Sequence, residues 1–293
     1  MSESNPLEKP IIIVGAPRSG TTNLGAVLSR HPSVAYIEEP RLVWRYGNDQ
    51  KSDLLRPEDA RPEVIEHIRE TFGRVVTDAG KQRLLEKTPS TGLRLGFVDK
   101  VMPDCKFVHI IRNGVESALA IKSFWEDSAN RFTGLAPGRI RQRLKEINPM
   151  RLPYYAKEVV RRALPKSMSS VVGRSVWGPR IPGIDGLVKD LTLIEVCALQ
   201  WRMTVELACH YGRQLPSDRY MEIRIEQMNP EMIGRVLEFC ELEPDESVTQ
   251  SRDSWYDPQR AARRVKEADP QELALIRQWI DPTMRWLGYD EAE

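Results

Sequence analysis

The sequence predicts an α/β fold in which a central parallel sheet of about five strands lies between two layers of helices. The first observation is the run Ile11-Ile12-Ile13-Val14, four β-branched residues typical of a strand buried on both faces. The second is that strand-like and helix-like stretches alternate from residue 11 to about residue 125. The third is a late strand-like stretch at residues 219–225. Together these observations predict a three-layer fold.

The individual elements follow from local patterns. The strand-like stretches share an apolar, β-branched character and lie at residues 11–14, 34–37, 84–87, 106–111 and 219–225. The helix-like stretches share helical spacing of apolar residues and lie at residues 21–30, 57–79, 90 onward, 113–125, 191–211, 230–240 and 270–287. Ser90 is predicted as the N-cap of its helix. His109, Cys197 and Trp201 stand among apolar residues and are predicted to belong to the core.

Length and charge bound the class of protein. A chain of 293 residues can bury a full core, and we expect residues 1–293 to form one domain. Lysine and arginine number 43 against 42 aspartate and glutamate, which argues against general nucleic-acid binding. The charges are distributed unevenly along the chain, because residues 139–180 carry eleven basic and two acidic side chains. Prolines interrupt this segment, so residues 139–190 are predicted as a basic insertion of short helices and loops.

The cysteines and the N-terminal residues bear on the cellular compartment of the protein. The four cysteines form no Cys-x-x-Cys pair and histidines do not cluster, which favours neither a zinc site nor a disulfide framework. The first ten residues are polar and include Glu3 and Glu8, unlike a signal peptide. No run reaches the length of a membrane span. We therefore expect a reduced, cytoplasmic protein without a transmembrane segment.

The turn after the first strand has the sequence Gly15-Ala16-Pro17-Arg18-Ser19-Gly20-Thr21-Thr22. Its glycine spacing matches the phosphate-binding pattern G-x-x-x-x-G, but Thr21 stands where a nucleoside-triphosphate loop needs lysine. Arg18 supplies a cation, and Ser19, Thr21 and Thr22 supply hydroxyls. With the N-terminus of a helix, these groups suit a single 5′-phosphate better than a triphosphate with magnesium. A turn that serves only strand-to-helix geometry is the alternative.

Charged residues follow three other predicted strands. Glu39 comes after the second strand, Lys87 ends the third, and Arg112 follows the fourth. The carboxyl ends of parallel strands share one edge of a sheet, which is where open α/β sheets bind ligands. One carboxylate and three cations, counting Arg18, predict transfer of an anionic group to a hydroxyl. An ordinary acidic loop would also explain Glu39, and a solvated surface lysine would also explain Lys87.

These segments, in this order, resemble the sulfotransferases that use 3′-phosphoadenosine 5′-phosphosulfate (PAPS). Residues 15–22 are similar to the 5′-phosphosulfate loop of that family, and residues 107–117 are similar to its 3′-phosphate segment. Further similar blocks are His31-Pro32, Glu38-Glu39-Pro40, residues 85–89 and residues 220–228. The resemblance covers most of the chain, and its motifs are closest to the branch that acts on protein tyrosine and glycans. It implies a P-loop-like fold.

The resemblance implies roles for individual residues. Glu39 stands where that branch has its general base, and Lys87 where it has a lysine that stabilises the bridging oxygen. Arg112 would hold the 3′-phosphate. The serine that usually follows eight residues later is Ala120 here, which leaves Ser117 or Ser123 to replace it. The residues that would hold the 5′-phosphate and the sulfonate are Ala16, Pro17, Arg18, Ser19, Gly20, Thr21 and Thr22.

Two further family features fall late in the chain. Trp255 and the arginines after it lie near the segment that closes over the cofactor in the family. The family block at residues 220–228 commonly has tyrosine where this chain has Ile225. Residues 139–190 would then form a lid over the acceptor site.

The resemblance implies sulfonate transfer from PAPS to a hydroxyl, with 3′-phosphoadenosine 5′-phosphate (PAP) as product. No metal is expected, because Arg18, Lys87 and Arg112 balance the charge of the donor. The expected acceptor is a carbohydrate or glycolipid hydroxyl, anionic or lipid-linked, and a phenolic, tyrosyl or peptidyl hydroxyl is the second choice. Two different functions compete with sulfonate transfer: a kinase with a degenerate P-loop, and a nucleotide-binding module without catalysis. The oligomeric state is not predicted.

Overall fold

A computed structural model describes residues 7–49, 52–130, 178–249 and 256–289 of the chain. These residues contain a sheet whose strands are β1 Ile11–Val14, β2 Val34–Glu38, β3 Arg83–Lys87, β4 Lys106–Ile111 and β5 Tyr220–Arg224. The strand order is β2-β3-β1-β4-β5, and every neighbouring pair is parallel. The predicted parallel sheet of about five strands is confirmed.

β1 lies at the centre of the sheet. All four of its residues are fully buried, because β3 and β4 flank it and helices cover both faces. Side chains alternate between the faces of a strand, so Ile11 and Ile13 enter one hydrophobic cluster while Ile12 and Val14 enter another. The continuous apolar run in the sequence is therefore the signature of a strand with two buried faces.

The helices that surround the sheet are α1 Thr21–Leu28, α2 Arg41–Trp44, α3 Pro62–Asp78, α4 Leu95–Val101, α5 Gly114–Asn130, α6 Ile184–Asp190, α7 Leu193–Gly212, α8 Pro230–Phe239, α9 Glu246–Thr249, α10 Pro258–Lys266 and α11 Pro270–Trp286. α1 and α8 pack on one face of the sheet through Leu24 and Ile233, and α3 and α4 pack on the other through Ile68 and Phe97. A further cluster joins α5, α7 and α11 around the buried Trp201.

Two helix starts differ from the prediction. Ser90 is not an N-cap, because residues Pro89–Leu93 form a 3-10 turn and α4 begins only at Leu95. A Cβ on Gly92 in this turn would lie 2.5 Å from Thr204 of α7, so tertiary packing holds the turn close to α7. The helix predicted for residues 57–79 begins at Pro62, a residue whose fixed φ suits the first helical position.

The placement of the parallel strands decides where their carboxyl ends lie. Because β1, β2, β3 and β4 run in one direction, the segments after Val14, Glu38, Lys87 and Ile111 emerge at the same edge of the sheet.

His109, Cys197 and Trp201 are fully buried, which confirms their predicted place in the core. The four cysteines are buried and unpaired. In the described ranges, no helix is both long and apolar enough to cross a membrane.

Part of the predicted insertion lies outside the described residues. The basic residues from Arg139 to Arg174, together with Tyr154, Tyr155 and Trp177, fall there, and so does Trp255. The described end of the insertion runs from Gly178 into α6. Arg180 is held there, because its backbone N–H donates to Asp53 Oδ2 at 2.8 Å.

Candidate functional site

The loop between β1 and α1 is tightly folded on itself. Arg18 and Gly20 adopt left-handed conformations, with φ of 67° and 94°. A Cβ on Gly15 would lie 2.6 Å from the carbonyl oxygen of Ile110 and 2.7 Å from Ser19 Oγ, so only glycine fits there. Strained backbone of this kind clusters at ligand-binding sites. The loop therefore has the shape that the glycine spacing predicts.

The hydroxyls of the loop differ in their surroundings. Ser19 is buried, and its Oγ donates to the carbonyl oxygen of Ala16 at 2.6 Å, so this hydroxyl stabilises the loop from within. Thr21 is also buried, whereas Thr22 and Arg18 are exposed. In the described part of the chain, no side chain caps the N-terminus of α1. The first N–H groups of the helix are therefore available to an anion.

Lys87 joins the ends of β2 and β3 to the loop. Its side chain is fully buried, and its Nζ donates to Glu38 Oε1 at 2.8 Å and to Glu39 Oε1 at 3.1 Å. It donates a third hydrogen bond to Thr22 Oγ1 at 3.0 Å. The sequence places these four residues on three separate elements. The structure brings them together within hydrogen-bonding distance of one ammonium group.

Glu39 is held by two cations. Its Oε1 accepts from Lys87, and its Oε2 accepts from Arg41 at 2.7 Å. Burial alone would raise the pKa of Glu39, but the charges and hydrogen bonds of Arg41 and Lys87 outweigh it and hold the pKa below its ordinary value. Glu39 is therefore an ionised carboxylate beside the phosphate loop.

Arg112 lies on the other side of the loop. Its Nη1 donates to the carbonyl oxygen of Arg18 at 3.0 Å, and its Nε and Nη2 donate to Glu116 Oε2 at 3.0 and 2.9 Å. The guanidinium also lies 5.5 Å from the ring centroid of Tyr256, whose hydroxyl donates to Glu116. Guanidinium has five N–H donors, so among the described residues these three contacts leave two donors for a ligand.

Arginines from α10 add positive charge to the same region. Reduced hydration and repulsion from Arg112, Arg264 and Arg260 lower the pKa of Arg18. Reduced hydration and repulsion from Arg112 and Arg260 also lower the pKa of Arg264. Arg112, Arg260 and Arg264 thus lie near enough to Arg18 to repel its charge and make this region positive, and Glu116 is among the carboxylates that offset it in part. A ligand with more than one negative charge suits this surplus.

The predicted serines occupy different surroundings. Ser117 is fully buried, and its Oγ has no hydrogen-bond partner in the described ranges. Ser123 is exposed on α5, and Ala120 is buried. The structure thus leaves Ser117 as a hydroxyl without a partner, five residues after Arg112, and does not bring it to the surface.

A further cluster is rich in possible metal ligands. His109, Cys209 and Glu222 each offer an atom within 4.8 Å of the others. The hydroxyl of Tyr220 lies among them, 2.7 Å from His109 Nδ1 and 2.9 Å from Glu222 Oε1. Arg213 donates twice to Glu222 at 2.8 Å. Tyr220 thus already contacts His109 Nδ1 and Glu222, and Arg213 pairs with Glu222, whereas His109 Nε2 has no hydrogen-bond partner in the described residues. Burial lowers the pKa of His109 to about 4.

Comparison with known proteins assigns the family. The sequence model of the sulfotransferase family matches residues 10–167, which is more than half of the chain and includes the loop, β2, β3 and β4. The chain belongs to the sulfotransferase family. The resemblance seen in the sequence is confirmed, and membership of this family leaves a degenerate kinase without support.

Curated relatives match a shorter part of this sulfotransferase family member. The nodulation protein NoeE of Sinorhizobium fredii is 29% identical over 137 residues, which cover 41% of this chain and 33% of the relative. The protein-tyrosine sulfotransferase of Drosophila melanogaster is 31% identical over 120 residues, which cover 36% of this chain and 24% of the relative. The chain thus spans a third or less of the length of these two relatives.

Solved sulfotransferase structures share the fold. STF9 from Mycobacterium avium aligns with a TM-score of 0.52 at 12% identity, covering 98% of this chain and 78% of that one. The sulfotransferase domain from the curacin biosynthetic pathway aligns with a TM-score of 0.51 at 12% identity, covering 94% and 98%. These alignments confirm the predicted P-loop-like α/β fold of the family member.

The sequence interpretation assigned roles to Arg18, Glu39, Lys87 and Arg112, and it named Glu38 and the arginines after Trp255 only as parts of family-like segments. The structure pairs Glu38 with Lys87, Arg41 with Glu39, and Glu116 with Arg112. It also brings Arg260 and Arg264 near enough to Arg18 to lower its pKa. Local spacing could not predict that approach, because α10 reaches the loop only through the tertiary fold.

Proposed function

We propose that the chain transfers a sulfonate group from PAPS to an acceptor hydroxyl by in-line displacement and releases PAP. The observation that carries the proposal is the convergence of Glu39, from the end of β2, and Thr22, from the phosphate loop, on the ammonium group of Lys87 in the neighbouring strand β3. A module that only bound nucleotide would have no use for a buried lysine paired with a carboxylate at this point. Family membership supports the same reaction.

The residues present suit the donor. The uncapped N-terminus of α1 and the loop from Ala16 to Thr22 would hold the 5′-phosphate and the sulfonate. Arg112, which keeps two N–H donors without a partner in the part of the chain that the structure describes, would hold the 3′-phosphate, supported by Arg260 and Arg264. Ser117, whose buried Oγ has no hydrogen-bond partner within the described ranges, is the serine we assign to this side of the site. The surplus positive charge around Arg18 suits a donor that carries several negative charges.

The bound donor supplies a sulfonate whose bond to the 5′-phosphate oxygen breaks, with its electron pair leaving on that oxygen, as the acceptor oxygen bonds to sulfur. Glu39 takes the proton from the acceptor hydroxyl, a role worth about 10²- to 10⁴-fold in rate. Lys87 donates a hydrogen bond to the leaving oxygen, which by analogy with an oxyanion donor is worth about 3–4 kcal/mol. Arg18 neutralises charge at the loop. These cations make a metal ion unnecessary, and metal independence is part of the proposal.

The acceptor class is also part of the proposal. The basic composition of residues 139–180 supports an anionic glycan or lipid-linked hydroxyl as the first choice. The relation to a protein named protein-tyrosine sulfotransferase supports a tyrosyl hydroxyl as the second. We also propose a reducing, cytoplasmic location, which the four unpaired cysteines support.

A thermal-shift measurement tests the donor. The protein is heated with PAP, with ATP plus magnesium, and alone. PAP at about a hundred times its dissociation constant stabilises a binding protein by about 2.7 kcal/mol. We expect PAP to raise the melting temperature without magnesium. Stabilisation by ATP plus magnesium and not by PAP would contradict the proposal.

A transfer assay then tests the reaction and the acceptor class. PAPS is supplied with a carboxylate-bearing oligosaccharide, a tyrosine-containing peptide or 4-nitrophenol, and PAP release is measured with and without a chelator. The oligosaccharide is expected to react fastest, and the chelator to have no effect. If none of the three compounds accepts the sulfonate, hydrolysis of PAPS by water, measured as sulfate release, provides the readout.

A further inference from the structure

Glu38 and Lys87 occupy matched positions in neighbouring strands. They are direct partners in the register of β2 and β3, and partners in a parallel ladder project their side chains to the same face of the sheet. Glu38 Oε1 lies 2.8 Å from Lys87 Nζ, closer than the 3.1 Å that separates Nζ from Glu39 Oε1. The sheet itself therefore fixes the pairing of Glu38 with Lys87.

Lys87 has no donor to spare. An ammonium group has three N–H donors, and in the described structure Thr22, Glu38 and Glu39 accept one each. If Lys87 is to donate to a leaving oxygen, it must release one of these three acceptors. Lys87 can break its hydrogen bond to Glu39 while the Glu39 carboxylate stays in position, because Arg41 donates to the other Glu39 oxygen at 2.7 Å.

Proton transfer also removes charge from Glu39. As a base, Glu39 becomes neutral when it takes the acceptor proton, and it then no longer balances the charge of Lys87. The side chain of Lys87 is fully buried, and a buried ammonium without a counter-charge is strongly destabilising. Glu38 is the second carboxylate in contact with Lys87, and the acceptor proton goes to Glu39 and not to Glu38 in this step.

We propose that Glu38 is a positioning residue that keeps Lys87 paired and aimed while Lys87 passes one hydrogen bond from Glu39 to the leaving oxygen. This inference rests on the proposed function, since it assumes that Lys87 and Glu39 act in sulfonate transfer. Releasing Glu39 frees Oε1 to receive the acceptor proton. The two adjacent glutamates thus have different tasks: Glu38 holds the cation, and Glu39 moves the proton.

The charge of Glu38 also acts on Glu39. The groups that face Glu39 are the cations Arg41 and Lys87, the neighbouring carboxylate Glu38 and the phenol of Tyr36. A negative charge on Glu38 disfavours a second negative charge on Glu39. It also attracts the Lys87 ammonium, so that less of the positive charge of Lys87 stabilises ionised Glu39. Removing that charge makes Glu39 easier to ionise and a weaker base.

The test compares Glu38→Gln with Glu63→Gln. Glu63 is an exposed glutamate paired with Arg61, at 2.9 Å, on α3, so its variant controls for loss of one surface ion pair. Turnover is measured with the fastest of the three acceptor probes, or as PAPS hydrolysis, across pH, and the Kd for PAP is measured by calorimetry. Glu38→Asp, which restores the charge on a shorter chain, is included as the conservative variant.

We expect Glu38→Gln to lower kcat about tenfold or more, with the PAP Kd changed less than about threefold. The acidic limb of its pH profile should move to lower pH by about half a unit. Glu38→Asp should recover part of the rate, and Glu63→Gln should match the wild type.

A Glu38→Gln enzyme with wild-type kcat and an unshifted pH profile would overturn the inference. If Lys87→Met and Glu39→Gln still lose turnover in that case, the proposed function stands and only the role of Glu38 fails. If the wild type neither binds PAP nor transfers or hydrolyses the sulfonate, both proposals fail together.

Discussion

Glu39 and Lys87 are joined twice. The backbone N–H of Glu39 donates to the carbonyl oxygen of Lys87 at 2.7 Å, and the Glu39 carboxylate accepts from Lys87 Nζ at 3.1 Å. Successive side chains of a strand point to opposite faces, so Glu38 and Glu39 would be separated if β2 continued. Glu39 instead has a φ of 51°, which ends the strand and lets both carboxylates reach Lys87.

Replacing Glu39 tests its role as the base. Glu39→Gln keeps the shape and removes the charge, so we expect turnover to fall at least about tenfold while PAP still binds. Because Arg41 and Lys87 hold the pKa of Glu39 below its ordinary value, the wild type should keep its ionised base as pH falls through 4.5. Steady-state rates across pH measure both effects. Unchanged turnover in the variant would exclude Glu39 as the base.

Replacing Lys87 tests the cation. Lys87→Met retains most of the buried volume and removes the ammonium, and we expect turnover to fall about 10²-fold or more. Lys122→Met is the control, because Lys122 of α5 is also a lysine paired with a carboxylate, that of Glu272, at 2.5 Å. PAP titration of both variants separates binding from turnover. Equal rates in the two variants would contradict the assignment.

Glu86 makes stability depend on pH. It is fully buried, accepts from Thr88 Oγ1 at 2.5 Å, and burial raises its pKa to about 7. The unfolded chain releases this proton near the ordinary glutamate pKa, whereas the folded chain keeps it to about pH 7. The free energy of unfolding should therefore fall as pH rises through this window.

Glu86→Gln removes this titration. Between pH 5 and pH 8, the wild type should lose roughly 2 kcal/mol more stability than the variant. Urea unfolding at the two pH values measures the difference, and other titrating groups contribute equally to both proteins. A parallel pH dependence in the two proteins would show that Glu86 does not titrate in this range.

Two glycines at helix starts form a matched pair. Gly20 and Gly183 both adopt left-handed conformations at the N-caps of α1 and α6, with φ of 94° and 73°. A Cβ on Gly20 would lie 2.5 Å from Ile225 Cδ1, whereas a Cβ on Gly183 would meet nothing within 4 Å. We expect Gly20→Ala to destabilise by about 1–3 kcal/mol more than Gly183→Ala, as measured by thermal unfolding. Equal losses of stability in the two variants would mean that the Ile225 side chain moves aside at no measurable cost.

Adjacent arginines of α10 test the anion site. Arg264 lies close enough to Arg112 for the two charges to repel, whereas Arg263 is exposed. We expect Arg264→Gln to weaken PAP binding about tenfold and to reduce its dependence on salt, and Arg263→Gln to have little effect. Calorimetry at two salt concentrations measures both. Equal affinities would place Arg264 outside the site.

Much of the architecture could be predicted because its signals are local. The buried run Ile11–Val14 and the glycine spacing of the loop each lie within a few residues, and both are found where the sequence indicates. The start of α4 could not be predicted from Ser90, because the packing of Gly92 against α7 decides it. Such packing joins residues that are far apart in sequence.

The sequence alone predicts the parallel sheet, the phosphate loop without its lysine, and the charged residues Glu39, Lys87 and Arg112 at the ends of three strands. It could do so because strand periodicity and turn chemistry depend on near neighbours. Only the tertiary structure decided that Glu38 shares Lys87 with Glu39 and that α10 brings Arg264 toward Arg112. The first contact depends on the register of β2 and β3 and on the left-handed conformation of Glu39. The second depends on the packing of α10, which is far from Arg112 in sequence. Neither contact is set by near neighbours in the chain.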